Sequence, residues 1–265
     1  MPFFTYQQYS VEFFLQGNGP LPVVLVHGFG EDETVFASLK STLDESKYTV
    51  LSYHLPGVGG SSHNPSLATI ASQAQLLRHL LAEVGMPKAV VLGHSLGGYI
   101  ALAFAQLFPE MLLGLGLIHS TSFADAEEKI LIRTKGIQLM ENFGGAAFVG
   151  TTLPNLFAPE HKVLHKQTIE KMEQAAQAFS TEALQLQYLA MRERPDTSHI
   201  LASLHVPVLI VAGVYDVAVP YQHSLAQAKL PNICYFTLLQ NVGHMSMIEA
   251  PEKLQQSVCH YLSNL

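Results

Sequence analysis

The sequence predicts an α/β domain in which a mostly parallel sheet is covered by helices on both faces. Three observations carry that prediction. Short apolar runs alternate with helix-forming stretches, glycine-rich loops follow several of the runs directly, and the alternation is interrupted once by about eighty residues with no convincing strand. Runs that are apolar throughout belong to strands buried on both faces, which is the situation of a parallel sheet.

Phe3 to Gln8 and Ser10 to Leu15 read as short strands before the turn Gly17-Asn18-Gly19-Pro20. Pro22 to Val26 reads as a fully buried strand that stops at His27-Gly28-Phe29-Gly30, and Tyr48 to Tyr53 as another, ending in the loop Pro56 to Ser62. From Ser66 to Val84, the residues Leu67, Ile70, Ala74, Leu77, Leu81 and Val84 recur three or four apart. That spacing gives one helix a single buried face, which Gly85 and Pro87 terminate. Ala89 to Leu92 is the next apolar run, followed at once by Gly93-His94-Ser95-Leu96-Gly97-Gly98 and a helix to about Phe108. Leu112 to Ile118, Val208 to Ala212 and Asn232 to Leu239 complete the strands before a helix from Glu252 to Leu262.

The sheet therefore draws on 1–120 and 204–265, with 121–203 as an insertion of helical periodicity alone. Pro154, Pro159 and Pro195 break it into about four helices, and Asp196-Thr197-Ser198 starts the return to the sheet. A structureless loop of that length is improbable, so a helical cap is expected. Its apolar residues, among them Phe123, Ile132, Ile137, Leu139, Met140, Phe143, Phe148, Leu153, Leu156 and Phe157, are expected to form mostly cap core and in part a pocket wall.

Of the 265 residues, 48% are hydrophobic and 13% charged, the composition of a compact body rather than a disordered one. A net charge of -7 with only 14 Lys and Arg excludes the basic footprint that nucleic acid or an anionic membrane surface requires. Cys234 and Cys259 are too few for a disulfide scaffold and read as reduced core cysteines. No positive residue occurs from Met1 to Gly17 and no apolar run reaches about 18 residues, so a soluble, cytoplasmic chain is expected. His161 and His165 are spaced i, i+4 but have no evident third ligand, and are expected as solvated helix positions. Gly57-Val58-Gly59-Gly60 lacks the Lys-Ser/Thr of a phosphate loop, so neither a metal nor a cofactor is expected.

Gly93-His94-Ser95-Leu96-Gly97 matches G-x-S-x-G, a strand-to-helix turn so tight that Gly93 and Gly97 have no room for a side chain and the Ser95 hydroxyl is lifted above the sheet edge. A serine hydroxyl is a poor nucleophile at neutral pH and needs a base, which needs an acid to fix its tautomer. Asp216 in Gly213-Val214-Tyr215-Asp216 and His244 in Asn241-Val242-Gly243-His244 each follow a strand. Strand-end loops at one edge of a parallel sheet converge, so the order Ser, Asp, His assembles a triad above Ser95. Gly28 permits the turn that presents the Phe29 amide, which with the Leu96 amide forms the expected oxyanion hole. His94 and His119 are read as structural or pocket-wall residues, and Arg192 and Arg194, flanked by Glu193 and Asp196, as ion-pair partners.

Five ordered segments, the strand with HGFG, HLPGVGGSS, GHSLGG, GVYD and NVGHMSMIEAPE, make the chain resemble the α/β-hydrolase superfamily from near residue 10 to its end. The resemblance implies an eight-stranded sheet with the second strand antiparallel, a helical cap after the sixth strand, and cofactor-free hydrolysis of an ester-type bond; the apolar residues of the inserted segment suggest that the small acyl substrate has a lipophilic acyl or alcohol group. Members with an Asp nucleophile are disfavoured by Ser95. One departure is His54, where the family's D-x-P-G-x-G-x-S loop has Asp, read as a local change near the site mouth. Similar proteins use the same triad for carbon–carbon bond hydrolysis or perhydrolysis, and some of this fold are weakly catalytic receptors. The residues leave those alternatives, the substrate and the oligomeric state open.

Overall fold

The computed structural model describes residues 2–265. Its eight strands are β1 (Phe3–Tyr6), β2 (Tyr9–Gln16), β3 (Leu21–Val26), β4 (Tyr48–Tyr53), β5 (Ala89–His94), β6 (Leu112–Ile118), β7 (Val208–Gly213) and β8 (Cys234–Leu239). They lie in the order β1-β2-β4-β3-β5-β6-β7-β8, with β2 antiparallel to β1 and β4 and every other pairing parallel. The apolar runs predict the mostly parallel sheet, and its eight strands with β2 antiparallel are those that the resemblance to the α/β-hydrolase superfamily implies. Val23 to Val26, Ala89 to Leu92 and Val208 to Val211 are all buried, as central strands covered on both faces must be.

Twelve α-helices connect and cover the strands: α1 (Ala37–Lys40), α2 (Ile70–Glu83), α3 (Leu96–Leu107), α4 (Glu127–Phe143), α5 (Gly145–Thr152), α6 (Pro159–Leu164), α7 (Lys166–Ala175), α8 (Thr181–Glu193), α9 (Ser198–Ser203), α10 (Tyr221–Gln227), α11 (Ser246–Glu249) and α12 (Pro251–Leu262). The α3 helix packs on β3, β5 and β6 and on α2, while α12 packs on β7, β8 and α1. Thr69 closes a capping box with Ser72 at the start of α2, which therefore begins four residues later than the apolar spacing implies. Gly85, at φ +72°, ends it.

Between β6 and β7 stand α4 to α8 and then α9, more helices than the three prolines imply. Gly144 at φ +87° separates α4 from α5, and His165 separates α6 from α7. Met140, Phe148, Leu153 and Phe157 are buried, but Leu139 and Phe143 are 46% and 71% exposed and form no core. Cys234 and Cys259 are free and only half-buried rather than in the core; Cys234 begins β8, an edge strand with incompletely covered faces, and Cys259 lies on α12. Among the described residues no helix is long and apolar enough to cross a membrane.

Candidate active site

Ser95 sits between the last residue of β5 and the first of α3, at φ 50°, ψ −114°. A non-glycine residue there carries strain of order 1–3 kcal/mol, which its surroundings must override. They do so through backbone bonds on both sides: Ser95 N–H donates to Ile118 O at 3.0 Å, and Ser95 O accepts from Gly98 N at 3.0 Å and Ser120 Oγ at 2.8 Å. The glycines are steric necessities. A β-carbon on Gly93 would lie 2.1 Å from Gly97 O, and one on Gly97 would lie 2.0 Å from Val26 O. Leu96 is the first residue of α3, so its N–H has no acceptor within the helix.

Asp216 and His244 arrive from the loops after β7 and β8. His244 Nδ1 donates to Asp216 Oδ2 at 2.8 Å, and the loop carrying it is tied to the helical segment by His244 N–H donating to Leu156 O at 2.7 Å. The same Oδ2 accepts a second imidazole N–H, from His119 Nδ1 at 3.0 Å, and Oδ1 accepts the N–H groups of Ala218 and Val219, both at 2.8 Å. Burial alone would raise the Asp216 pKa, but the facing His244 and the hydrogen bonds from His119 and His244 hold it well below the usual carboxylate range. Asp216 is thus an anion at any working pH. Ser95 Oγ is not hydrogen-bonded to His244, though both residues line one cavity.

A second buried polar cluster supports this one. His94 Nδ1 faces Glu31 Oε2 at 3.0 Å and His94 Nε2 faces the His244 carbonyl at 2.9 Å; both partners are acceptors, so both ring nitrogens carry protons. Burial opposes that charge, yet Glu31 raises the His94 pKa above its ordinary value and is itself held below its own. Glu31 also accepts the Gly28 N–H at 3.0 Å, so one carboxylate links the turn before Phe29 to the histidine preceding Ser95. His27 Nδ1 donates to Gly28 O at 2.8 Å and its Nε2 accepts the Leu55 N–H at 3.0 Å, a neutral arrangement that agrees with burial lowering its pKa to about 4. Glu249 accepts the N–H groups of Gly243, Met245 and Ala158 at 2.9 Å each and so clamps the loop around His244.

Ser95 and His244 open on a cavity of about 420 Å³. Phe29, Val149, Leu153, Leu156, Tyr188 and Met191 supply apolar wall, and Asp125, Arg133 and Arg194 a charged part. The Phe29 ring packs at a tilt of 55° against that of Tyr188, centroids 4.5 Å apart. Arg194 pairs with Asp125 at 2.8 Å and Arg192 with Glu193 at 2.8 Å. His54 is elsewhere than expected: it lies buried beside His27, its Nδ1 2.8 Å from Glu12 Oε2, and does not line the cavity mouth. His161 and His165 are half-buried and stacked, rather than solvated on one helix, with His161 Nδ1 and His165 Nε2 3.2 Å apart. His119, Asp216 and His244 bring metal-ligating atoms within 4.8 Å of one another, but both imidazoles direct Nδ1 at the carboxylate in hydrogen-bond geometry.

A family model for the alpha/beta hydrolase fold matches residues 22–251, a span that holds Ser95, Asp216 and His244. The chain belongs to the alpha/beta hydrolase fold family. A thermophilic esterase from Thermogutta terrifontis, solved with malate bound, superposes on this hydrolase-family chain with a TM-score of 0.90 and 30% identity, covering 97% of this chain and 94% of that one. The enol-lactonase from Burkholderia xenovorans LB400 superposes at a TM-score of 0.91 with 18% identity over 99% and 100% of the two chains, a likeness of fold. In sequence, the chain is 28% identical over 256 residues to the dihydrolipoyllysine-residue acetyltransferase component of the acetoin cleaving system of Pseudomonas putida. The match takes in 94% of this chain and 65% of that longer protein.

Among the described residues, Glu31 and Ser120 lie outside every motif, while His119, read as structural or pocket-wall, and Glu249, inside NVGHMSMIEAPE, carry site roles that the motifs did not assign. Each is a single polar residue with at least one partner from a distant part of the chain: His94 for Glu31, Asp216 for His119, Ser95 for Ser120 and Ala158 for Glu249. Glu31 carries one signal, a carboxylate set in a loop that directly follows a fully apolar strand.

Proposed function

We propose that this family member is a serine hydrolase that cleaves the carboxylic ester, or a related acyl bond, of a small lipophilic substrate through an acyl-enzyme on Ser95. His244 Nε2 takes the Ser95 proton as Oγ attacks the carbonyl carbon, and the Phe29 and Leu96 amides receive the oxygen that gains charge. The proton then passes from His244 to the departing alcohol, and water repeats the cycle to release the acid. Asp216 holds the imidazole with Nδ1 protonated and Nε2 free to accept. Residues 121–203 act as the cap that excludes water and shapes the acyl pocket.

The observation that carries this reading is the positive-φ Ser95 at the head of α3, on one cavity wall with an imidazole whose far nitrogen is bonded to a carboxylate. The esterase relative at 30% identity supports it. Turnover of a panel of esters of graded acyl length tests it, with Ser95→Ala as the comparison. The wild type is expected to turn over the shorter lipophilic members, and Ser95→Ala to lose on the order of 10⁴- to 10⁶-fold in kcat. Loss of less than about tenfold would remove Ser95 from the mechanism.

A further inference from the structure

The charged part of the cavity wall is unbalanced. Asp125, Arg133 and Arg194 are nearly buried there, with side chains 1%, 9% and 5% exposed, and the single Asp125 carboxylate serves both guanidinium groups, Oδ2 facing Arg133 Nε and Oδ1 facing Arg194 Nη2. Among the described residues on that wall, the other carboxylates are Glu31, which is bonded to His94 and Gly28, and Glu128, which is exposed. The remaining cation, Lys129, donates to the Ala218 carbonyl.

The two arginines differ in what their hydrogens meet. Arg194 donates from Nη1 to Met191 O at 2.6 Å and from Nη2 to Phe123 O at 3.0 Å, with its guanidinium carbon 4.0 Å from the Tyr99 ring centroid, so it braces the chain on either side of the helical segment; its Nε is buried without a partner among the described residues, closed off from any ligand. Arg133 has its Nε on Asp125 and its Nη1 3.4 Å from Met191 Sδ, a weak acceptor, while Nη2 has no hydrogen-bond partner. Arg133 Nη2 is not sealed off but opens on the mostly apolar cavity, where an anionic ligand group would meet a guanidinium that water reaches only in part. Its planar fork suits a carboxylate held by two parallel bonds. The Arg133 guanidinium lies 5.3 Å from the Tyr188 ring centroid, and the Tyr188 ring meets that of Phe29 at a tilt of 55°. Arg133, Tyr188, Phe29 and Ser95 thus line one cavity, so a single small substrate can meet the guanidinium at one end and Ser95 at the other.

We propose that the substrate carries a free carboxylate remote from its ester, and that Arg133 binds it through Nη1 and Nη2 while the scissile carbonyl lies at Ser95. The substrate class is an ester of a short dicarboxylic acid or of a short hydroxy acid, anionic at one end and lipophilic between. This rests on the ester-hydrolase reading of Ser95, and the test is arranged to separate the two.

Binding is read first, without turnover. Adipate should raise the melting temperature of the wild type and of Ser95→Ala, hexanoate should raise it less, and 1,6-hexanediol should not raise it. Arg133→Met should abolish the adipate shift, and Arg133→Lys, which keeps the charge but loses the fork, should retain part of it.

Kinetics follow on matched pairs. Ethyl hydrogen adipate against ethyl hexanoate places the carboxylate on the acid side, and 4-acetoxybutanoate against butyl acetate places it on the alcohol side. The wild type should favour the anionic member of one pair in kcat/KM, chiefly through KM. Arg133→Met should lower that preference on the order of ten- to hundredfold, the range of a charge-assisted hydrogen bond or two. If Arg133→Met does not fold, Arg133→Lys carries the test with a partial loss of preference. No adipate shift in the wild type, or a preference untouched by the Arg133 substitutions, overturns the inference. Turnover of the neutral esters with no adipate effect overturns it while leaving the hydrolase reading in place. An Arg133-dependent adipate shift with no turnover of any ester supports the carboxylate site and overturns the ester reading.

Discussion

At the scale of single residues, the proposed chemistry depends on where protons are held. Asp216 receives four donors, two of them imidazole N–H groups, so its charge is fixed and the His244 tautomer with it. Phe29 is assigned a backbone role, and its side chain and its amide can be separated experimentally. Phe29→Ala keeps the N–H and should change the fit of apolar substrate groups against Tyr188, whereas Phe29→Pro removes it and should lower kcat on the order of 10² to 10³. Steady-state kinetics on one ester checks this, with circular dichroism first showing that the proline variant folds. Equal kcat values for the two variants would take Phe29 out of the oxyanion hole. Ser95, Asp216 and His244 were legible in the sequence because each is tied to a strand end and a local pattern. His119 and Glu249 were not, since what makes them partners of the site is tertiary approach, His119 across 97 residues to Asp216 and Glu249 across 91 to Ala158.

At the scale of elements, apolar runs marked the central strands because a strand buried on both faces has no other composition available. The ends of elements were harder to read. The β1–β2 hairpin turns through Gln7 and Gln8, both at positive φ, a conformation more often taken by Asn or Gly, and so the turn carried no sequence signal. The break between α4 and α5 had one, the pair Gly144-Gly145, which three prolines overshadowed. Gly85 offers a clean test of such helix ends. Its φ is +72° and nothing lies within 4 Å of where a β-carbon would stand, so Gly85→Ala meets conformational strain alone. The expected cost is about 1 kcal/mol, read as a lower urea midpoint with an unchanged slope. A loss above about 3 kcal/mol would mean that the site is packed in a way the structure does not show.

At the scale of the molecule, buried histidines make stability depend on pH through the loops that build the site. His27 has a folded pKa of about 4 against 6.5 unfolded, so only the unfolded chain takes up its proton as pH falls between those values. Its effect is nil above 6.5 and grows to a loss of about 3 kcal/mol near pH 4. The Glu31–His94 pair acts at both ends: Glu31 contributes above its unfolded value near 4.5 and loses that contribution as pH falls through its lower folded value, while His94 contributes below 6.5 and loses it as pH rises through its raised one. Urea unfolding at pH 7.5 and 5 should therefore show a smaller decrease for His27→Gln than for the wild type, and equal decreases would contradict the neutral His27.

Above these loops the helical segment closes a cavity over Ser95, and the central claim is that this one serine is the nucleophile. A fluorophosphonate followed by intact mass and peptide mapping tests it most directly. A single adduct is expected, on Ser95, absent in Ser95→Ala and formed much more slowly in His244→Ala. An adduct on any other residue, or none on folded protein, would contradict it.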